Sequence, residues 1–124
     1  MIAKLAMVAV LTVAACGCHR GPLPSERDTT CESTCQSVAC INPELDEDAI
    51  AACESYCRGK FDASAEQGAA CEQAFTDAMI CLGDLTCEEY ADWLTHVADP
   101  CPTGRSQVAS ACEGIYLEPY ILPP

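Results

Sequence analysis

The cysteines constrain this chain more than any other feature. Twelve occur in 124 residues, and ten of them fall between Cys31 and Cys112. Over the same stretch there are only ten Val, Ile and Leu residues, and the aromatics are Tyr56, Phe61, Phe75, Tyr90 and Trp93. The overall figure of 50% hydrophobic residues overstates the core, because much of it is Ala and Cys. A core this sparse gives modest stability, so a fold here needs covalent or metal staples. Which kind depends on the compartment: exported chains oxidise their cysteines, whereas cytosolic chains keep thiols that can bind metal.

The N-terminus bears on that choice. Lys4 supplies a short positive region, and Leu5 to Ala15 (LAMVAVLTVAA) is an uncharged apolar run. Eleven residues are too few to span a bilayer, which needs about twenty. The layout is that of a secretory signal over residues 1–15. Its end, Val13-Ala14-Ala15-Cys16, resembles a bacterial lipobox, with an aliphatic residue, two small residues and then the acceptor cysteine. The resemblance covers about sixteen residues. It implies that the signal is cleaved before Cys16 and that Cys16 carries the lipid. Two or three acyl chains anchor stably where one does not. Gly17 follows, with no Asp to resemble an inner-membrane retention signal, which favours the outer over the inner membrane. Two other outcomes stay open: cleavage near Ala15 without lipidation, giving a secreted protein, or an uncleaved short anchor. Cys18 is a second potential acceptor with a poorer preceding motif.

Net charge is −13, and removing residues 1–15 takes away Lys4 and no acid, leaving −14. Nucleic-acid binding draws most of its affinity from a basic footprint, so that class is excluded. Adsorption to an anionic lipid surface by charge alone is excluded likewise. The charge fits a well-solvated acidic surface or, more sharply, a cationic partner.

Residues 16–28 carry Gly and two Pro and read as a lipidated flexible tether that includes His19 and Arg20. Behind it lie five segments with helical signals. Thr29 with Glu32 suggests a capping box and a helix over about 30–40. Asn42-Pro43, followed by Glu44, Asp46, Glu47 and Asp48, suggests a second start, and Gly59 a stop. Its apolar stripe is Ile50, Cys53, Cys57 and Phe61. Ser64 with Gln67 opens a third helix, whose stripe is Cys71, Ala74, Phe75, Ala78, Cys81 and Leu82. Thr86 with Glu89 opens a fourth, with Cys87, Tyr90, Trp93, Leu94 and Val97 inward. A short fifth, about 103–113, turns Val108, Ala111 and Cys112 inward. No alternating strand pattern competes, so the expected class is all-α. It would be a small disulfide-rich bundle of about five short helices: two nested disulfide-linked hairpins plus the fifth helix. The domain is bounded at 29–114, and 115–124 (IYLEPYILPP) forms an extended apolar tail. That tail either packs on its own domain, the favoured alternative because exposed apolar tails are a liability, or docks elsewhere.

Setting aside Cys16 and the tether's Cys18, ten cysteines suggest five disulfides. Cys31 and Cys35 share one helix face, as do Cys53 and Cys57. In an antiparallel hairpin the outer cysteines meet, as do the inner ones, which predicts Cys31–Cys57 and Cys35–Cys53. The same logic on helices three and four predicts Cys81–Cys87 and Cys71–Cys101. Cys40 and Cys112 then pair by elimination. The twin Cys-x3-Cys pattern is similar to that of small chaperones of the mitochondrial intermembrane space and of plant hairpin defence peptides. The likeness is one of architecture over about 27 residues, and carries no function.

Zinc is disfavoured because no Cys-x2-Cys pair occurs and His96 is the single histidine of the domain. The same missing motif argues against a thiol–disulfide oxidoreductase. There is no nucleophile elbow, phosphate loop, His-Glu-x-x-His or calcium loop, so no catalytic residue, metal ligand or cofactor is assigned. The expectation is a non-enzymatic cell-envelope lipoprotein, held at a membrane by its N-terminal lipid. It would act as a structural or interaction module toward an unknown protein or surface polymer. A metal- or redox-handling lipoprotein and a small disulfide-scaffold inhibitor are the alternatives.

Overall fold

The computed structural model describes residues 21–117. Cys16, Cys18, His19, Arg20, the signal segment and residues 118–124 of the tail lie outside the described residues. Five helices follow in order: α1 Pro24–Ile41, α2 Glu47–Glu66, α3 Ala69–Gly83, α4 Cys87–Thr95 and α5 Gly104–Ala111. The described residues contain no strand, and five disulfides tie the helices into a small bundle.

Helix α1 begins five residues before Thr29, inside the stretch expected as tether. Pro24 occupies its first turn, where a missing N–H is harmless. The Leu23 N–H donates to Glu26 Oε2 at 2.7 Å. Thr29 is therefore mid-helix, its hydroxyl donating to the Ser25 carbonyl at 2.9 Å. Arg27 explains why this early turn is ordered: it reaches Asp62 at 3.0 Å and Glu72 at 3.9 Å, joining α1 to α2 and α3.

Helix α2 starts at Glu47 rather than at Pro43. Asp46 is the cap, accepting from the Ala49 N–H at 2.8 Å, and 42–46 forms the turn. The helix runs through Gly59 to Glu66. A mid-helix glycine costs about 1 kcal/mol, but stopping there would forfeit the burial of Phe61, which is 1% exposed. Ser64 is thus inside α2, with its hydroxyl donating to the Phe61 carbonyl at 2.7 Å. Gln67 does not cap α3; Gly68, at φ 108°, makes the turn that glycine favours.

The buried stripes meet at the centre. Cys31, Cys35 and Val38 of α1 face Cys53, Cys57 and Phe61 of α2. Cys71, Phe75, Ala78, Met79 and Leu82 of α3 pack beneath them. Phe61 and Phe75 meet edge to face, with centroids 5.1 Å apart. Helix α3 also packs on α5, whose Val108 is fully buried. Helix α4 packs against α1.

Gly59 is exposed in α2, and a Cβ added there would meet nothing within 4 Å. Gly59→Ala should raise unfolding free energy by about 0.5–1 kcal/mol, measured as a shift in denaturant midpoint at constant slope. No change would mean that residues 60–66 do not hold helix in solution.

Candidate functional surface

The cysteine framework determines which parts of the surface are rigid. Cys31 is joined to Cys57 and Cys35 to Cys53, closing the α1–α2 hairpin as the antiparallel spacing requires. The remaining three pairs differ from expectation. Cys40 bonds Cys87, Cys71 bonds Cys112 and Cys81 bonds Cys101, in place of Cys40–Cys112, Cys71–Cys101 and Cys81–Cys87. The cause is the direction of α4. It crosses to α1 instead of folding back along α3, so Cys87 leaves Cys81 and reaches the C-terminal end of α1. Helix α5 takes the vacated flank of α3, bringing Cys112 to Cys71.

Helix α4 is held by its aromatic residues. Its Thr86–Glu89 capping box forms in both directions. Tyr90 and Trp93 are 2% and 0% exposed, but Val97 is 77% exposed and Cys87 is exposed as well. The expected stripe is therefore shorter at both ends: Tyr90, Trp93 and the half-buried Leu94 pack on the core, Cys87 is exposed in its bridge to Cys40, and Val97 lies beyond the helix end at Thr95. His96 closes it in the left-handed region at φ 57°. Arg105 of α5 locks the arrangement. Its guanidinium sits 4.2 Å over the Trp93 ring and donates to the Trp93 carbonyl at 2.9 Å. Its Nη1 lies 3.0 Å from His96 Nδ1, which accepts when the imidazole is neutral. Nothing in the sequence pattern singled out Arg105.

The C-terminal segment packs as far as it is described. Ile115 and Leu117 are buried and Tyr116 is exposed. Gln67 clamps it: its Nε2 donates to the Glu113 carbonyl and its Oε1 accepts the Glu113 N–H, both at 2.6 Å. Leu117 and Tyr116 border an apolar cavity of about 50 Å³ shared with Met79, Leu82 and Tyr90. Sites for metabolites run to hundreds of cubic ångströms, so this cavity is too small to be one.

The outer surface is strongly acidic. Residues 21–117 hold eighteen acids and four bases. Those bases are engaged: Arg27 and Arg58 in ion pairs, Lys60 over Tyr56 and Arg105 over Trp93. The Cys40–Cys87 bridge brings the exposed Glu88 and Glu89 of α4 to the end of the bundle that carries Glu44, Asp46, Glu47 and Asp48. No group of three or more His, Cys, Asp or Glu among the described residues could hold a metal ion. The acids at this end are thus exposed without converging on a metal site, a distribution suited to long-range attraction of cationic surfaces.

Substitutions at two positions probe α4. Arg105→Ala should lower stability by about 1–2 kcal/mol, with Arg105→Lys recovering less than half because it lacks the planar fork. Burial pushes the Tyr90 phenol up to about 12 from its ordinary 10.0. The fold favours the neutral phenol, so this contribution is full below pH 10 and is lost as pH rises towards 12. An alkaline absorbance titration should show one delayed tyrosinate step that Tyr90→Phe removes.

Comparisons with protein-family models, curated proteins and solved structures find no match for this chain.

Proposed function

We propose that the chain is a non-enzymatic lipoprotein of the bacterial cell envelope, whose stapled acidic domain is displayed from a membrane for interaction with another macromolecule. One observation carries most of this. The ten cysteines from Cys31 to Cys112 pair among themselves, so no domain disulfide claims Cys16. A cysteine set apart in this way, behind Val13-Ala14-Ala15, is what lipid attachment requires. Five disulfides also suit an oxidising compartment. The domain's helices are not membrane spans: no described helix is long and apolar enough to cross a bilayer. Attachment would therefore fall to the lipid.

The outward chemistry favours a basic protein patch or a cationic polymer as the partner. Exposed acids at the Glu44–Asp48 and Glu88–Glu89 end would steer such a partner at low salt and lose that advantage as salt rises.

Growth of a bacterium expressing the full chain with labelled palmitate tests the anchor. Label should enter the wild-type protein and be lost in Cys16→Ser, which should leave the membrane fraction while keeping all five disulfides. Unlabelled wild-type protein in the soluble fraction would contradict the proposal and indicate secretion.

A further inference from the structure

The five disulfides are not equivalent. Cys31–Cys57, Cys35–Cys53 and Cys71–Cys112 have both cysteines buried, and Cys81–Cys101 has one buried and one half-buried. Only Cys40–Cys87, among the described residues, has both cysteines exposed. Thiolate attack on a buried disulfide needs local unfolding first, whereas an exposed one is open to it in the native state.

Opening this bridge also leaves the rest of the structure supported. It is the single covalent link between α1 and α4. Helix α4 keeps its other attachments: the buried Tyr90 and Trp93, the Arg105 guanidinium on Trp93, and its own capping box. The two sulfurs differ as well. Cys87 is the first residue of α4, where backbone N–H groups and the helix dipole favour a thiolate. Cys40 lies in the last turn of α1, where the dipole disfavours one. Glu88 and Glu89 share the first turn of α4 with Cys87, but both are exposed, so solvent and salt screen their charge.

We propose that Cys40–Cys87 is a site of thiol–disulfide exchange, attacked at Cys40 by the thiolate of a protein dithiol while the fold stays intact. In the first step the incoming sulfur bonds to Cys40 Sγ. The Cys40–Cys87 bond breaks, and its electron pair leaves on Cys87 Sγ as thiolate. In the second step the partner's other thiolate attacks its own mixed-disulfide sulfur and expels the Cys40 thiolate. The partner ends as a disulfide, having given up two electrons, and this chain ends with two thiols. The exposed acids at this end disfavour small anionic thiols and favour a neutral or basic surface around the partner's dithiol. The site does not depend on acylation of Cys16.

The test uses the full chain in detergent under native conditions. Limiting dithiothreitol followed by iodoacetamide should label Cys40 and Cys87 about tenfold or more faster than any other cysteine from Cys31 onward. Trp93, the only tryptophan, should keep its emission maximum as they open. Limiting cysteamine, trapped the same way, should place the cysteamine adduct on Cys40 and the alkyl group on Cys87. The double variant Cys40→Ser/Cys87→Ser should keep the other four bridges and the same emission. First labelling at another pair, joint opening of all five, an adduct on Cys87, or a red shift of Trp93 on opening would each overturn the proposal.

Discussion

The structure depends on two buried cross-links between α1 and α2. Cys31–Cys57 and Cys35–Cys53 lie one helical turn apart and hold the helices at Cα separations of 5.6 and 5.9 Å. Each contributes about 2–4 kcal/mol by restricting the unfolded chain. Their sulfurs are also core atoms, with all four cysteines no more than 6% exposed. In a chain with so few large apolar residues, the disulfides fill space as well as closing loops. A domain with such excess negative charge repels itself, and cross-links that limit expansion help it stay compact.

From that hairpin the bridges divide the domain into two covalently closed groups. One joins α1, α2 and α4; the other joins α3, the segment before α5, and the end of α5. No disulfide among the described residues crosses between them. The seam is apolar and polar contact alone: Phe61 on Phe75, Arg27 reaching Glu72, Gln67 on Glu113 and Arg105 on Trp93. Cooperative folding of the whole therefore rests on that seam, while each group keeps local order from its bridges. The side chains that span it are scattered along the sequence, which is why no single segment accounts for the core.

Local periodicity made the helices and the first two disulfides legible. Cys-x3-Cys twice, with one intervening turn, leaves little choice once both segments are helical. The Thr86–Glu89 cap was equally readable because both partners are local. What escaped was the direction in which α4 leaves the Leu82–Thr86 turn. That depends on burying Tyr90 and Trp93, and an exit towards α1 or towards α3 satisfies the same periodicity. Three pairings changed with it. The early start of α1 escaped for a related reason: Pro24 suits a linker or a first helical turn, and the ion pairs of Arg27 that favour the helix come from Asp62 and Glu72, far along the chain. For the surface, charge was visible in composition, but the placement of Glu88 and Glu89 at the end of the bundle that carries Glu44 required the Cys40–Cys87 contact.

The division into a self-contained cysteine framework and a separate N-terminal cysteine is tested most directly by disulfide mapping. Protein extracted from its native membrane would be alkylated without reduction, digested and analysed for linked peptides. The structure predicts Cys31–Cys57, Cys35–Cys53, Cys40–Cys87, Cys71–Cys112 and Cys81–Cys101, with no alkylation at the eight cysteines outside the exchangeable Cys40–Cys87 pair. Linkage of Cys16 to any domain cysteine, or free thiols among the ten other than Cys40 and Cys87, would contradict it.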